Sequence, residues 1–213
     1  MATTASAPSR AVPARSPKKL VGFIAFVLLT LFVVYGKNHE IFNPKSPIAQ
    51  HFAPALIFLI PHAIFAGVAL FAALFQFSNR LRAKYLGFHR KLGYVYVTCV
   101  FLGAPVAIFV ANRIGPRGLI WATVVQAFGW MTCTGIALYC IRNGNVTDHR
   151  RWMIRGYAFA MVFTVARAII PLPPVFRYGD LGISVTVWVC IALAGFLPSL
   201  FLDWPKFPKR QAA

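Results

Sequence analysis

Two histidines in the chain open nearly the same local sequence. His89 begins His89-Arg90-Lys91 with Gly93-Tyr94 behind it, and His149 begins His149-Arg150-Arg151 with Gly156-Tyr157 behind it. Two neutral imidazoles facing each other hold a haem iron axially, and guanidinium groups beside them pair with the propionates. On that chemistry His89 and His149 are the axial ligands of haem b, with Arg90, Arg150 and Arg151 near the propionates. Helix N-termini carrying basic side chains also bind anions in general, such as phosphate or a lipid headgroup. Basic residues at helix entrances serve equally as caps and topology signals, and the motif alone admits all three readings.

His62 and Arg167 stand apart from that pair. His62 follows Pro61 inside a long apolar run, where proline removes a helical hydrogen bond and frees an upstream carbonyl that a neighbour must satisfy. Arg167 falls about 9 Å from the outer end of its helix at 1.5 Å per residue, with Pro171 to Pro174 as the boundary. No Asp or Glu occurs within any apolar run to neutralise it. Its available partners are Gln126, the carbonyl freed by Pro61, an anionic ligand from outside, and the outer interface reached by snorkelling. Arg167 and Gln126, with His62, are therefore the expected outer binding residues for a quinone or a small anionic ligand.

These residues need elements to hold them, and the composition says which. The chain has 213 residues, 59% of them hydrophobic and 12% charged, with 22 Lys and Arg against 4 Asp and Glu and a net charge of +18. A soluble domain with so few charges cannot cover that much apolar surface. The basic residues lie in short clusters between long apolar runs, a membrane pattern that excludes nucleic-acid binding as the source of the charge. No P-loop, nucleophile elbow, HExxH pair or GxGxxG fingerprint occurs.

About 20 apolar residues cross a hydrocarbon core. Six segments qualify, running approximately from Leu20 to Tyr35, Phe52 to Phe77, Leu92 to Ala111, Gly118 to Ile141, Trp152 to Ile170 and Gly182 to Leu202. The first is short, but no small-residue cleavage site follows before Tyr35, Gly36 and Lys37, so it reads as a retained helix and not a signal peptide. Fifteen of the 22 Lys and Arg fall on the two tails and on the second-to-third and fourth-to-fifth connections, against five on the alternate loops. The positive-inside rule then places both termini in the cytoplasm and the chain in the plasma (bacterial inner) membrane as a multi-pass protein. Residues 1–19 form a disordered basic tail, 20–204 the transmembrane domain and 205–213 a second short basic tail.

Membrane helices meet through small residues. Projected at 100° per residue, the second segment aligns Ala55, His62, Ala66, Ala69, Ala73 and Gln76. The third aligns Gly93, Tyr96, Val100, Gly103 and Ala107, and the fourth Ala122, Gln126, Trp130, Cys133 and Ala137. In the fifth, His149, Gly156, Ala160 and Arg167 share a stripe. Polar and small residues thus share faces on segments two to five. The first segment is bulky all round and the sixth is uncharged until Asp203. The expected fold is all-α, a polytopic bundle of six transmembrane helices with a core of helices two to five and with helices one and six outside.

HRKLGYVYV at His89 to Val97 and DHRRWMIRGYA at Asp148 to Ala158, with His62 and Arg167 around them, resemble domain-of-unknown-function family 2306, a family of bacterial predicted membrane proteins. The resemblance implies a polytopic membrane protein without an assigned activity. More loosely, the arrangement is similar to transmembrane b-type cytochromes and ferric reductases, in which His pairs on neighbouring helices ligate two haems. This chain departs from that pattern in offering one pair at the inner level and only His62 further out. The functional expectation is a membrane redox or electron-transfer protein binding haem b through the inner His pair. The alternative is a small non-redox transporter or ligand-sensing subunit that binds an anion at the Arg167, His62 and Gln126 pocket.

Overall fold

A computed structural model describes residues 43–204, together with 21, 24–25, 27–28, 30–33 and 36. The described positions between 21 and 36 are all helical, with Thr30 and Val33 buried, so the first expected span falls only partly within the described residues. The N-terminal and C-terminal tails lie outside them. Among the described residues five helices are long and apolar enough to cross a membrane.

The first of these is built in three pieces. Ser46 caps α1 (Pro47–Phe52) by accepting from the Ala49 N–H at 3.0 Å, a proline occupies the first helical position, and Pro54 then tightens the chain into the 3-10 turn Ala53–Ala55. The helix resumes as α2 (Leu56–Gln76) and ends at Phe77. Ser78 caps a short basic helix, α3 (Asn79–Lys84), which hands over to α4 (Leu86–Ile114). Three more follow in close succession: α5 (Arg117–Arg142), α6 (Val146–Ile169) and, after the single turn α7 (Pro173–Phe176), α8 (Gly179–Asp203). The helices that carry the two His-Arg motifs begin six residues earlier than the apolar runs Leu92 to Ala111 and Trp152 to Ile170. Hydropathy marks the bilayer-spanning part of a helix, whereas the polar first turns continue it into the interface.

The small-residue faces of the second to fourth segments pack as expected, whereas on the fifth stripe Gly156 is buried, His149 and Ala160 are half-buried and Arg167 is exposed. Ala69, Ala73, Tyr96, Val100, Gly103, Ala122, Gln126, Trp130, Cys133, Ala137 and Gly156 are all buried. One cluster joins α2, α4 and α5 through Ala69, Ala72, Ala73, Tyr96, Cys99, Val100, Ala104, Ala127 and Trp130. Gly103 marks a close crossing of α2 and α4, since a Cβ there would stand 2.8 Å from Phe65 Cβ.

The last span corrects the expectation that helix six sits outside a four-helix core. A second cluster joins Ala122 of α5 and Val162 and Ala166 of α6 to Val187, Cys190, Ile191 and Ala194 of α8. Gly182, Thr186, Cys190, Ala194 and Pro198, spaced every four residues along α8, are buried. This ridge of small side chains lets α8 approach α6 without any charged residue to mark the face. At the basic end of the same contact Arg155 Nη2 meets Asp203 Oδ2 at 2.6 Å, while its guanidinium stacks 4.9 Å over the Trp152 ring. Large apolar side chains such as Phe32, Ile57, Trp121, Phe128, Phe196 and Phe201 are exposed around the bundle, as contact with lipid requires.

Candidate functional site

The α5–α6 connection sets the first functional side chain. Gly144 adopts φ +77, a left-handed conformation that glycine takes without a Cβ penalty, and this ends α5. Asn145 then caps α6, its carboxamide oxygen accepting from the Asp148 N–H at 3.0 Å and its amide donating to Asp148 Oδ2 at 2.7 Å. So tight a reversal brings the first turn of α6 back against the last turns of α5. There the Nδ1–H of His149 donates to the Ala137 carbonyl at 2.8 Å. Because a carbonyl only accepts, the proton of the neutral ring sits on Nδ1 and the Nε2 lone pair is left uncommitted.

His89 is placed by a different device. It is the fourth residue of α4, as His149 is of α6. Gln76, at the end of α2, donates its amide to the His89 backbone carbonyl at 2.8 Å and pins the first turn of α4. The His89 Nδ1 is buried without a hydrogen-bond partner. Burying a polar nitrogen in this way is costly unless something pairs with it.

Both imidazoles line one cavity of about 690 Å³ at the basic end of the bundle. That is within the range of roughly 300–1,000 Å³ typical of small-molecule and cofactor sites. The cavity exists because α4 and α6 each pack on α5 and form no extended interface with one another. Its walls are largely apolar, with Leu86, Val97, Leu138, Ile141 and Met153 among them. Tyr96 and Thr134, both buried, reach it from below, and the Trp130 indole N–H donates to the Tyr96 hydroxyl at 3.0 Å.

Four arginines line the same cavity, namely Arg82, Arg90, Arg142 and Arg150, and among the described residues no carboxylate does. Arg90, Arg142 and Arg150 are exposed and Arg82 half-buried, so the charges stand at the mouth. Arg82 is steadied by Asn79 Oδ1, 3.0 Å from its Nη2. Burial, and secondarily the positive charge of Arg150, lower its pKa from the ordinary arginine value. Cations that repel each other around an apolar hollow favour an anion between them.

The expected residues therefore divide. His89, His149, Arg90 and Arg150 come together at this cavity. Arg151 does not line it and turns to Asp148, 3.6 Å away. His62 and Arg167 lie elsewhere, in the half of the bundle beyond Gly103, where the His62 Nδ1–H donates to the Gly103 carbonyl at 2.9 Å and Arg167 occupies the last turn of α6. Gln126 donates to the Phe159 carbonyl at 2.9 Å and so ties α5 to α6. Sequence reasoning missed Arg82 and Arg142. A signal for Arg82 was available in Ser78, which caps a short helix ahead of His89. Arg142 enters through the antiparallel return of α5, visible only once helices are paired.

A family model described as predicted membrane protein (DUF2306) matches residues 59–204. No curated protein and no solved structure matches the chain.

Proposed function

We propose, for a chain that belongs to the DUF2306 family of predicted membrane proteins, that the cavity at the basic end binds haem b and that the protein carries electrons in the plasma (bacterial inner) membrane. The observation that carries the reading is the pair of imidazoles in one cavity, with the Nε2 lone pair of His149 kept free by the Nδ1–H bond to Ala137. That hydrogen bond would orient the imidazole as a ligand and raise its basicity. His89, on the helix across the cavity, would be the second residue to hold it. The apolar walls suit a macrocycle, and the four arginines at the mouth suit two propionates. Bound there, haem supplies one-electron chemistry. The chain's own residues orient it, exclude water from its faces and neutralise its carboxylates. Arginine charge in excess of two propionates also favours the reduced state, which has one positive charge fewer.

The test is stoichiometric. Purified protein expressed with haem precursor available is expected to carry one haem per chain by alkaline pyridine assay, and His89→Ala or His149→Ala to carry none. Haem retained at full stoichiometry in both variants would defeat the assignment.

A further inference from the structure

We infer that His89 is the displaceable member of the histidine pair, so that the cavity admits a neutral diatomic ligand, of the carbon monoxide or nitric oxide type, in its place. The inference rests on the haem reading above. The two histidines are alike in motif and unlike in support. His149 Nδ1–H donates to the Ala137 carbonyl at 2.8 Å, and the first turn of its helix is capped by the Asn145 carboxamide oxygen, 3.0 Å from the Asp148 nitrogen. His89 has neither. Its Nδ1 is buried without a hydrogen-bond partner, and Tyr85, at the start of α4, gives that helix no side-chain cap.

The difference bears directly on metal binding. An imidazole that ligates through Nε2 carries its remaining proton on Nδ1. At His149 that proton meets a carbonyl, whereas at His89 ligation leaves a buried donor with no acceptor, which opposes the bond. Partners of this kind commonly change metal affinity by about 10–100-fold. The backbone points the same way. Gly87 sits in the first turn of α4, ahead of His89, with nothing within 4 Å of the position its Cβ would take. Gln76 of α2 fastens this turn from outside, its amide donating to the His89 carbonyl at 2.8 Å, and it lines the same cavity as both histidines. When the turn loosens and His89 leaves, its Nε2–iron bond breaks and a bond to the diatomic forms, with no change of oxidation state and no proton released. The ligand fills the vacated position, so the haem stays, unlike in His89→Ala. The space given up by an imidazole among apolar walls suits a small uncharged ligand.

The experiment titrates haem-loaded, dithionite-reduced full-length protein with carbon monoxide and reads the visible spectrum. Wild type is expected to convert fully from the b-type spectrum to the carbon monoxide form. Gln76→Leu, which unfastens the turn, should raise the apparent affinity by about three- to tenfold. Gly87→Ala, which stiffens it, should lower the affinity by about two- to fivefold, and this variant carries the test if Gln76→Leu holds no haem. Asn145→Ala, at the His149 end, should leave the affinity unchanged. A haem-loaded protein whose reduced spectrum ignores carbon monoxide overturns the inference and leaves the haem assignment standing, whereas a protein that takes up no haem overturns both. An affinity that responds to Asn145→Ala and to neither α4 variant would make His149 the ligand that leaves, and would overturn the inference as well.

Discussion

At the scale of single residues, the arginines around the cavity divide by what they touch. Arg82 and Arg150 line it, while Arg151 is drawn off by Asp148. A charge-assisted contact to a propionate is worth about 1.5–3 kcal/mol. Arg150→Gln should therefore weaken haem retention by about tenfold or more, and Arg151→Gln should leave it within about twofold, both measured by transfer to apomyoglobin. His149 was legible because its motif repeats that of His89 and each is followed by Gly-Tyr. What the motif does not contain is the second half of each histidine's setting. The Ala137 carbonyl and the Gln76 amide come from other helices, and no spacing within a single segment encodes them.

At the scale of elements, two glycines fix where the helices run. Gly144 turns α5 into α6 at φ +77, and an alanine there is strained by about 1–2 kcal/mol. Gly144→Ala is expected to lower the unfolding temperature of detergent-purified protein and to loosen the His149–Ala137 contact. At Gly103 the added methyl would press on Phe65 Cβ, and overpacking of this kind costs about 1–3 kcal/mol. The expected result for Gly103→Ala is a loss of thermal stability larger than for Gly67→Ala, whose new Cβ would meet nothing within 4 Å. The contact faces of α2, α4 and α5 were readable because a polar residue such as His62, Tyr96 or Gln126 lies on the same stripe as the small ones. On α8 the stripe from Gly182 to Pro198 is free of charge and looks like lipid-facing sequence until its partner surface is in place. Ala194→Leu should therefore destabilise the protein, whereas Leu193→Ala, on the exposed side, should change stability by less than about 0.5 kcal/mol.

At the scale of the whole molecule, the hydropathy of the chain and the alternation of its basic clusters describe a polytopic helical protein with one strongly cationic end, and the fold has that form. The depth of the two histidines was readable too, since both open helices entering from the same side. The cavity was not, because it is a gap between α4 and α6, held open by the way both pack on α5. The central claim is that this gap is a haem site, and the reduced-minus-oxidised visible spectrum of the purified protein tests it most directly. The account predicts a b-type difference spectrum that is lost in His89→Ala and in His149→Ala and retained in Arg151→Gln. A colourless, stable, monodisperse wild-type preparation made with haem precursor available would contradict it.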